Sequence, residues 1–325
     1  FASSYYYLTN NTQDIINNPN LKSQKLIDYE VGFKQALTKQ TAVTITAFYK
    51  ERRDMIQVRP YLFAWPVTYY TYGNRDFSTT KGFTLTYDMR RIGNLRMNIA
   101  YTLQFAEGTG SNSSTTARGG IGSGILQNFI SAGLPNMRMT NVLDYDSRHN
   151  IVANIDYRYD KGQGPVVGGV HILENAGLNI IARARSGEPY TKYRKPTLTT
   201  NEIDGGVNGS RLGWHFGLDA RLDKDFELNK LFTGKSASET PGKRPLMLNA
   251  YVYVTNLFNI KDILGVDGFT GRADDDGYLA SPQGQLAAQT QVNRLSYIDY
   301  YNMSLWNNNN INLPRRINLG LQLNF

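Results

Sequence analysis

The sequence predicts an all-β protein, a transmembrane antiparallel β-barrel with long extracellular loops and short periplasmic turns. Three observations predict it. Apolar and polar residues alternate over about nine stretches of roughly 10–13 residues, near the roughly 9–11 that a tilted barrel strand needs to cross a bilayer. The connections between them alternate between short and long, as in outer-membrane barrels. Aromatic residues reach 12%, with 22 Tyr against 14 Phe. Tyr pairs an apolar ring with a polar tip, which suits a membrane–water boundary.

In chain order, the stretch 27–37 carries Asp28, Glu30 and Lys34 on one face. A tight turn near Thr38-Lys39-Gln40 leads to 42–50, where Val43, Ile45, Ala47 and Tyr49 oppose Thr44, Thr46 and Lys50. A long connection over 59–80 precedes 82–90, with Thr84, Asp88 and Arg90 on its polar side. The short Arg91-Ile92-Gly93-Asn94 leads to 95–105, where Leu95, Met97, Ile99, Tyr101, Leu103 and Phe105 alternate with Arg96, Asn98, Thr102 and Gln104. A very long Gly/Ser/Asn-rich segment, 107–146, precedes 150–158, with Ile151, Ala153, Ile155 and Tyr157 against Asn150, Asn154, Asp156 and Arg158. A medium link (160–175), a weaker strand (176–186) and a long link (187–211) follow. Next, 214–223 places Trp214, Phe216, Leu218 and Leu222 opposite His215, Asp219, Arg221 and Asp223. The last two strands, 246–256 and 317–325, are separated by the longest connection, 258–313. Period two puts each class on its own face. A soluble sandwich also alternates, but its strands are shorter.

Assigning the longer connections to the outside runs the last strand inward and leaves Phe325 at the periplasmic end. Residues 1–24 then read as the tail of an extracellular loop, and 25–325 as barrel. Nine is odd, whereas bacterial single-chain barrels have even strand numbers. Either a tenth strand goes unrecognised or the barrel is completed by sequence outside this chain. The chain opens Phe1-Ala2-Ser3-Ser4, with no start Met and no basic leader, which reads as a mature or internal stretch.

Composition narrows the chemistry. Cysteine is absent, which excludes disulfides, thiolate metal sites and a cysteine nucleophile. The mean hydropathy of −0.43 reflects averaging over alternating faces and does not argue for solubility. A net charge of +8 is spread along the whole chain, which fits rim and lumen charge and not a nucleic-acid footprint.

Six stretches, in order across most of the chain, resemble one family. Asp28-Tyr29-Glu30-Val31-Gly32-Phe33-Lys34 resembles the YE-x-G-x-K strand of TonB-dependent receptors, and Thr80-Lys81-Gly82-Phe83-Thr84-Leu85 their KGFE strand. Asp146-Ser147-Arg148-His149-Asn150 resembles their D-x-RH strand start, and Ser186-Gly187-Glu188-Pro189-Tyr190-Thr191 their SG-x-PYT segment. Val254-Thr255-Asn256-Leu257-Phe258-Asn259 resembles V-x-NLFN, and Pro314-Arg315-Arg316-Ile317 through Phe325 the closing P-R-x-x-x-x-G-x-x-x-F strand. The Asn- and Tyr-rich character and the stretch Arg272 to Tyr278 resemble SusC-like and Oar-like receptors of the Bacteroidetes. The resemblance implies a 22-stranded barrel, of which this chain supplies about nine or ten C-terminal strands, and a plug domain and N-terminal strands absent from this sequence. It implies uptake of a large or scarce ligand (glycan, peptide or chelate) driven by the TonB complex through a region not in this sequence. A surface lipoprotein lid, another outer-membrane protein and lipid or lipopolysaccharide are the further partners it implies. Phe325 would be the barrel-assembly signal.

Loop aromatics are the candidate ligand contacts: Tyr69, Tyr70, Tyr72, Tyr300, Tyr301 and Trp306, with Tyr5, Tyr6, Tyr7, Tyr61, Phe63 and Tyr297 of the same character. Such rings grip sugars or peptides at low entropy cost, and the same rings can instead hold long loops together. Asp274, Asp275 and Asp276 lack EF-hand spacing and read as a solvated turn, so no metal is expected. His149, His171 and His215 are far apart. His149 reads as a strand-start residue bonding near Asp146 and Arg148, and no cofactor or catalytic role is assigned. The Gly119 to Gly124 run has no following Lys-Ser/Thr and reads as loop. Arg96, Arg158, Arg183, Arg185 and Arg221 fall on the polar register, where they face plug, substrate path or water. Transport is the leading expectation. A passive pore or a scaffold for surface proteins is the alternative, and a barrel protease or lipase would need converging Ser, His or Asp groups that three scattered histidines do not supply.

Overall fold

The computed structural model describes residues 15–61, 65, 69–110, 140–196, 203–228, 246–306 and 310–324, with the backbone alone at 15–16, 58–61 and 70. Nine long strands form an antiparallel meander in which sequence neighbours are sheet neighbours. They are β1 (Lys25–Ala36), β2 (Thr41–Tyr61), β3 (Tyr69–Ile92), β4 (Leu95–Gly108), β5 (His149–Arg158), β6 (Ala176–Arg185), β7 (His215–Glu227), β8 (Met247–Thr255) and β9 (Arg316–Asn324). Short pieces at Ile15–Ile16 and Asn141–Val142 add to the sheet beside β3 and β4. Among the described residues, β1 pairs only with β2 and β9 only with β8, so the sheet is an open part of a barrel.

The registers turn sequence alternation into two faces. Phe33, Ile45, Leu85, Tyr101, Ile151, Ala184 and Phe216 stand opposite one another across seven strands. The neighbouring row is Gly32, Thr46, Thr84, Thr102, Asn150, Arg185 and His215. The apolar face is bare, with Phe33 64% and Leu319 78% exposed. On β4 it runs from Leu95 to Phe105, a rise of about 33 Å along the strand, or about 25 Å at a 40° tilt, the height of a barrel's lipid-facing band. A chain of rings crosses its upper part: Phe83, Tyr101, His149, Trp214 and Phe216, with successive centroids 5.7–6.2 Å apart. Tyr157 and Tyr159 pair near the opposite end.

Connections after odd strands are short or medium and share one end of the sheet. Thr38 caps the first turn, its hydroxyl accepting the Gln40 and Thr41 N–H groups, and Gly93 takes φ 58° in the second. At the other end lie the long connections. Two expectations need correction there. The stretch 59–80 is not a loop: β2 and β3 pair as far as Tyr61 and Tyr69. A register shift between Arg52 and Met55, with Asp54 at φ 55°, slips the alternation by one phase, so period-two reading stops at the bulge. The strands consequently run from 9 to 24 residues, beyond the expected range. The last connection carries two helices, α1 (Pro282–Gln289) and α2 (Arg294–Leu305), started by the side-chain caps Ser281 and Asn293. No helix among the described residues is long and apolar enough to cross a membrane.

Candidate functional site

The polar face and the long connections above it form the candidate site. The face is held by ion pairs within and across its strands. Lys50 reaches Asp28 at 2.9 Å and Glu30 at 3.4 Å. Arg158 lies across β6 to meet Asp223 at 2.6 Å, and it can do so because Gly177 has no side chain: a Cβ there would fall 2.5 Å from the guanidinium. Asn249 donates to Asp225 at 2.7 Å and closes that cluster. Arg183 meets Asp219 at 2.5 Å, and Arg185 meets Glu188 at 2.7 Å, whose other oxygen faces His215 Nε2 at 3.1 Å. Arg221 instead lies over the Tyr251 ring, 4.4 Å from its centroid.

Two motifs forty residues apart meet where the sheet passes into its long connections. The Ser186 hydroxyl accepts the His149 N–H at 3.0 Å, and the Ser147 hydroxyl donates to the Ser186 carbonyl at 3.0 Å. Asp146, 1% exposed, accepts the Ala106 N–H at 2.8 Å and a hydrogen bond from the Arg211 guanidinium. Arg211 also donates to the Asp146 carbonyl at 2.6 Å. The His149 ring departs from expectation. It turns to the apolar face, 2.9 Å from the Tyr101 hydroxyl and stacked between Tyr101 and Trp214, because alternation sends it opposite Leu103, away from Asp146.

The last connection is zipped at its base by asparagines. Asn256, at φ 52°, donates to the Ile260 and Leu313 carbonyls, and its own N–H goes to Asp219 at 3.0 Å. Asn259 accepts the Arg315 N–H, and Asn312 bonds both ways with 260–262. Further out, Tyr193 donates its N–H to the Gly268 carbonyl at 2.9 Å and so ties this loop to the preceding one. The acidic tip divides its carboxylates among three tasks. Asp274 pairs with Arg272, which holds its carboxyl below the usual carboxylate range. Asp275 accepts the Gly277 N–H, and Asp276 accepts both the Tyr278 N–H and, at 2.6 Å, the Tyr301 hydroxyl. Burial, and then that bond, raise the Tyr301 pKa.

The expected aromatic contacts separate into two places. Tyr69, Tyr70 and Tyr72 belong to the β3 arm of the extended hairpin. Tyr300, Tyr301 and Trp306 belong to α2 and its C-terminal cap, borne between β8 and β9. Tyr300 is 74% and Trp306 63% exposed, whereas Tyr301 packs against Tyr278 and Tyr297. Tyr5, Tyr6, Tyr7, Phe63, Phe325 and the run Gly119 to Gly124 lie outside the described residues, as do the side chains of Tyr61 and Tyr70. Sequence reasoning missed Arg211 and Asn312, which act on groups tens of residues away and leave no local spacing to read.

The family model described as "TonB dependent receptor-like, beta-barrel" matches residues 1–257. The chain belongs to the TonB-dependent receptor family. Its two-faced sheet is part of the β-barrel of this outer-membrane receptor family. Curated proteins give no match. Among solved structures, the outer-membrane transporter YddB of Escherichia coli aligns at 13% identity and TM-score 0.48, covering 78% of this chain and 31% of that one. The pyoverdine receptor FpvA of Pseudomonas aeruginosa aligns at 14% and 0.46, covering 78% and 28%. The FrpB iron transporter of Neisseria meningitidis aligns at 15% and 0.42, covering 76% and 29%. The chain thus spans less than a third of the length of these three structures.

Proposed function

We propose that this chain forms part of the wall and outer rim of an energised importer in the bacterial outer membrane. The observation that carries the reading is the two-faced sheet of a TonB-dependent receptor: a bare apolar band about 25 Å high, backed by an ion-paired polar face. The long connections, 15–24 included, lie outside and capture ligand, and β9 ends at the periplasmic side. Tyr300, Trp306, Tyr69 and Tyr72 are the ring contacts offered to ligand. Tyr301 positions the helix that bears two of them, since its hydroxyl is committed to Asp276. The plug and the segment engaged by TonB belong to other parts of the protein. The ligand is large or scarce (a glycan, a peptide or a metal chelate), and iron chelates gain support from the FpvA and FrpB likenesses in name only. The Asn- and Tyr-rich loops and the Arg272 to Tyr278 stretch favour a SusC-like or Oar-like receptor of the Bacteroidetes, working with a surface lipoprotein lid.

The test is uptake by cells expressing the whole gene product, with and without a functional TonB complex. Accumulation of ligand that stops when TonB is removed supports the reading. Uptake indifferent to TonB would replace it with a passive pore, and surface partners retained without uptake would replace it with a scaffold.

A further inference from the structure

The link between β5 and β6 is built as a hairpin of its own. Val166–Val167 pairs with Val170–His171 in a sheet separate from the wall, turned by Gly168 and Gly169 at φ 59° and 81°. Two successive residues at positive φ are what the common two-residue hairpin turn requires. Gly162 and Gly164, at φ 75° and 99°, and Asn175, at φ 56°, break both stems from the wall strands, so the hairpin takes its own direction. Two contacts set that direction towards the apolar side of the sheet. Lys224 stands opposite Ala176, one step beyond Leu222 on the apolar row, and its ammonium donates to the Ile172 carbonyl. Tyr159, one step beyond Tyr157 on the same face, backs the other stem, its ring 3.5 Å from where a Gly164 Cβ would stand. From Gly162 to Leu173 the chain carries no Asp, Glu, Lys or Arg. Val166, Val167, Val170, Ile172 and Leu173 are between 40% and 64% exposed. His171, the one ionisable group of the run, faces the Gly164 carbonyl at 3.1 Å. A charge-free tip that shows so much apolar surface marks an interaction surface.

We propose that the hairpin 165–173 lies in the headgroup region of the leaflet at the short-turn end and anchors the barrel wall there to phospholipid. The occupant is lipid because the patch continues the bare apolar band, whereas a plug fills the opposite, polar side of the wall. Lys224 and Tyr159 set the depth: a lysine that ends an apolar row carries its ammonium to the boundary, and Tyr rings settle at the same level. The hairpin starts from that level. Its short ladder leaves backbone groups that need water or headgroups, so it lies along the surface and does not enter the hydrocarbon. The inference rests on the reading of the bare band as lipid-facing.

Cysteine is absent from this chain, so a single introduced cysteine bearing an environment-sensitive fluorophore reports one position. Three are placed in the whole gene product, freed of any other cysteine: Val167→Cys on the hairpin, Ile99→Cys on the apolar band of β4 and Lys39→Cys in the first short turn. The protein is reconstituted in phosphatidylethanolamine–phosphatidylglycerol vesicles that carry a nitroxide either near the headgroup or deep in the acyl chains. The shallow nitroxide should quench the Val167 label about twofold or more better than the deep one, with the reverse order at Ile99 and no quenching at Lys39. Val166→Asp with Ile172→Asp should expel the Val167 label and remove its quenching. Both side chains are exposed, and heat-modifiable gel migration verifies the fold. Quenching at Ile99 but not at Val167 would overturn the anchor, give the hairpin to water or a protein, and leave the lipid-facing wall standing. Quenching at neither would overturn both. Equal quenching at Lys39 and Val167, or quenching indifferent to the two aspartates, would also overturn the anchor.

Discussion

Replacing Asp146 by Ala removes the group on which the long-connection end of the wall converges. Two costs follow from the structure. The Ala106 N–H, on a residue with no exposed surface, loses its acceptor, which costs about 1–3 kcal/mol. The Arg211 guanidinium, 25% exposed, loses its carboxylate, and breaking a buried pair costs about 3–5 kcal/mol. Arg211 keeps its bonds to the Asp146 and Gly187 carbonyls, so the lower end applies. The expected total is about 4 kcal/mol or more, and about 3 for Asp146→Asn, which retains an acceptor for Ala106. A cycle with Arg211→Ala should return a coupling of about 2 kcal/mol. Urea titration of the barrel refolded in lipid vesicles measures the energies. Hydrogen exchange at Ala106 and Leu143 locates the opening, since Leu143 donates back to the Ala106 carbonyl. A coupling below about 0.5 kcal/mol would show that the two side chains are merely adjacent and would refute the Asp146–Arg211 pairing as what holds this end of the wall.

Asn256→Ala loses three side-chain bonds and places a β-carbon residue without local polar support at φ 52°; exchange across 258–315 should rise about tenfold or more while β1 to β6 stay protected. Tyr301 has a raised pKa in the folded chain, so its contribution is fully present below the unfolded value near 10 and is lost as pH rises from there through the folded value. The last connection should therefore become protease-sensitive above about pH 10, and Tyr301→Phe should flatten that dependence; an unchanged profile would remove the hydroxyl from the account. Gly320→Ala drives a Cβ into the Tyr251 ring and should displace it from Arg221, at a cost of about 1–3 kcal/mol in the same urea titration.

All nine strands were legible because a bilayer on one face and charge on the other impose a strict period of two, as in Leu95 to Phe105 on β4. Legibility failed where that imposition ends. Beyond Arg52 the hairpin lies past the apolar band, and the bulge at Asp54 reverses the phase, so a paired arm read as loop. The helices of the last connection escaped because α1 and α2 have no sustained apolar stripe: α2 buries no residue completely. Their signals are local, Ser281-Pro282 and Asn293, and they become meaningful only once a cap is sought. The candidate site was legible in part. Motif residues such as Asp146, Ser186 and Asn256 stood out, but their partners Arg211 and Asn312 are set by sheet register and loop closure.

The wall and the last connection are not independent, and Asp219 is where they join. One of its oxygens meets Arg183 across the β6–β7 pair, and the other receives the Asn256 N–H at the first step of the last connection. Asn256 then holds Ile260 and Leu313, one on each stem of that loop. A change of charge on the polar face at Arg183 therefore acts on an acceptor that fixes the loop base, about 75 residues away in sequence yet only two bonded groups distant. The loop that carries Tyr300 and Trp306 is thereby referenced to the barrel wall, and contacts within the loop alone do not set its position. Such a path transmits displacement only if the Asp219 carboxylate has two arrangements. The backbone bond at 3.0 Å is the weaker of its two, so Asn256 is the side that yields first.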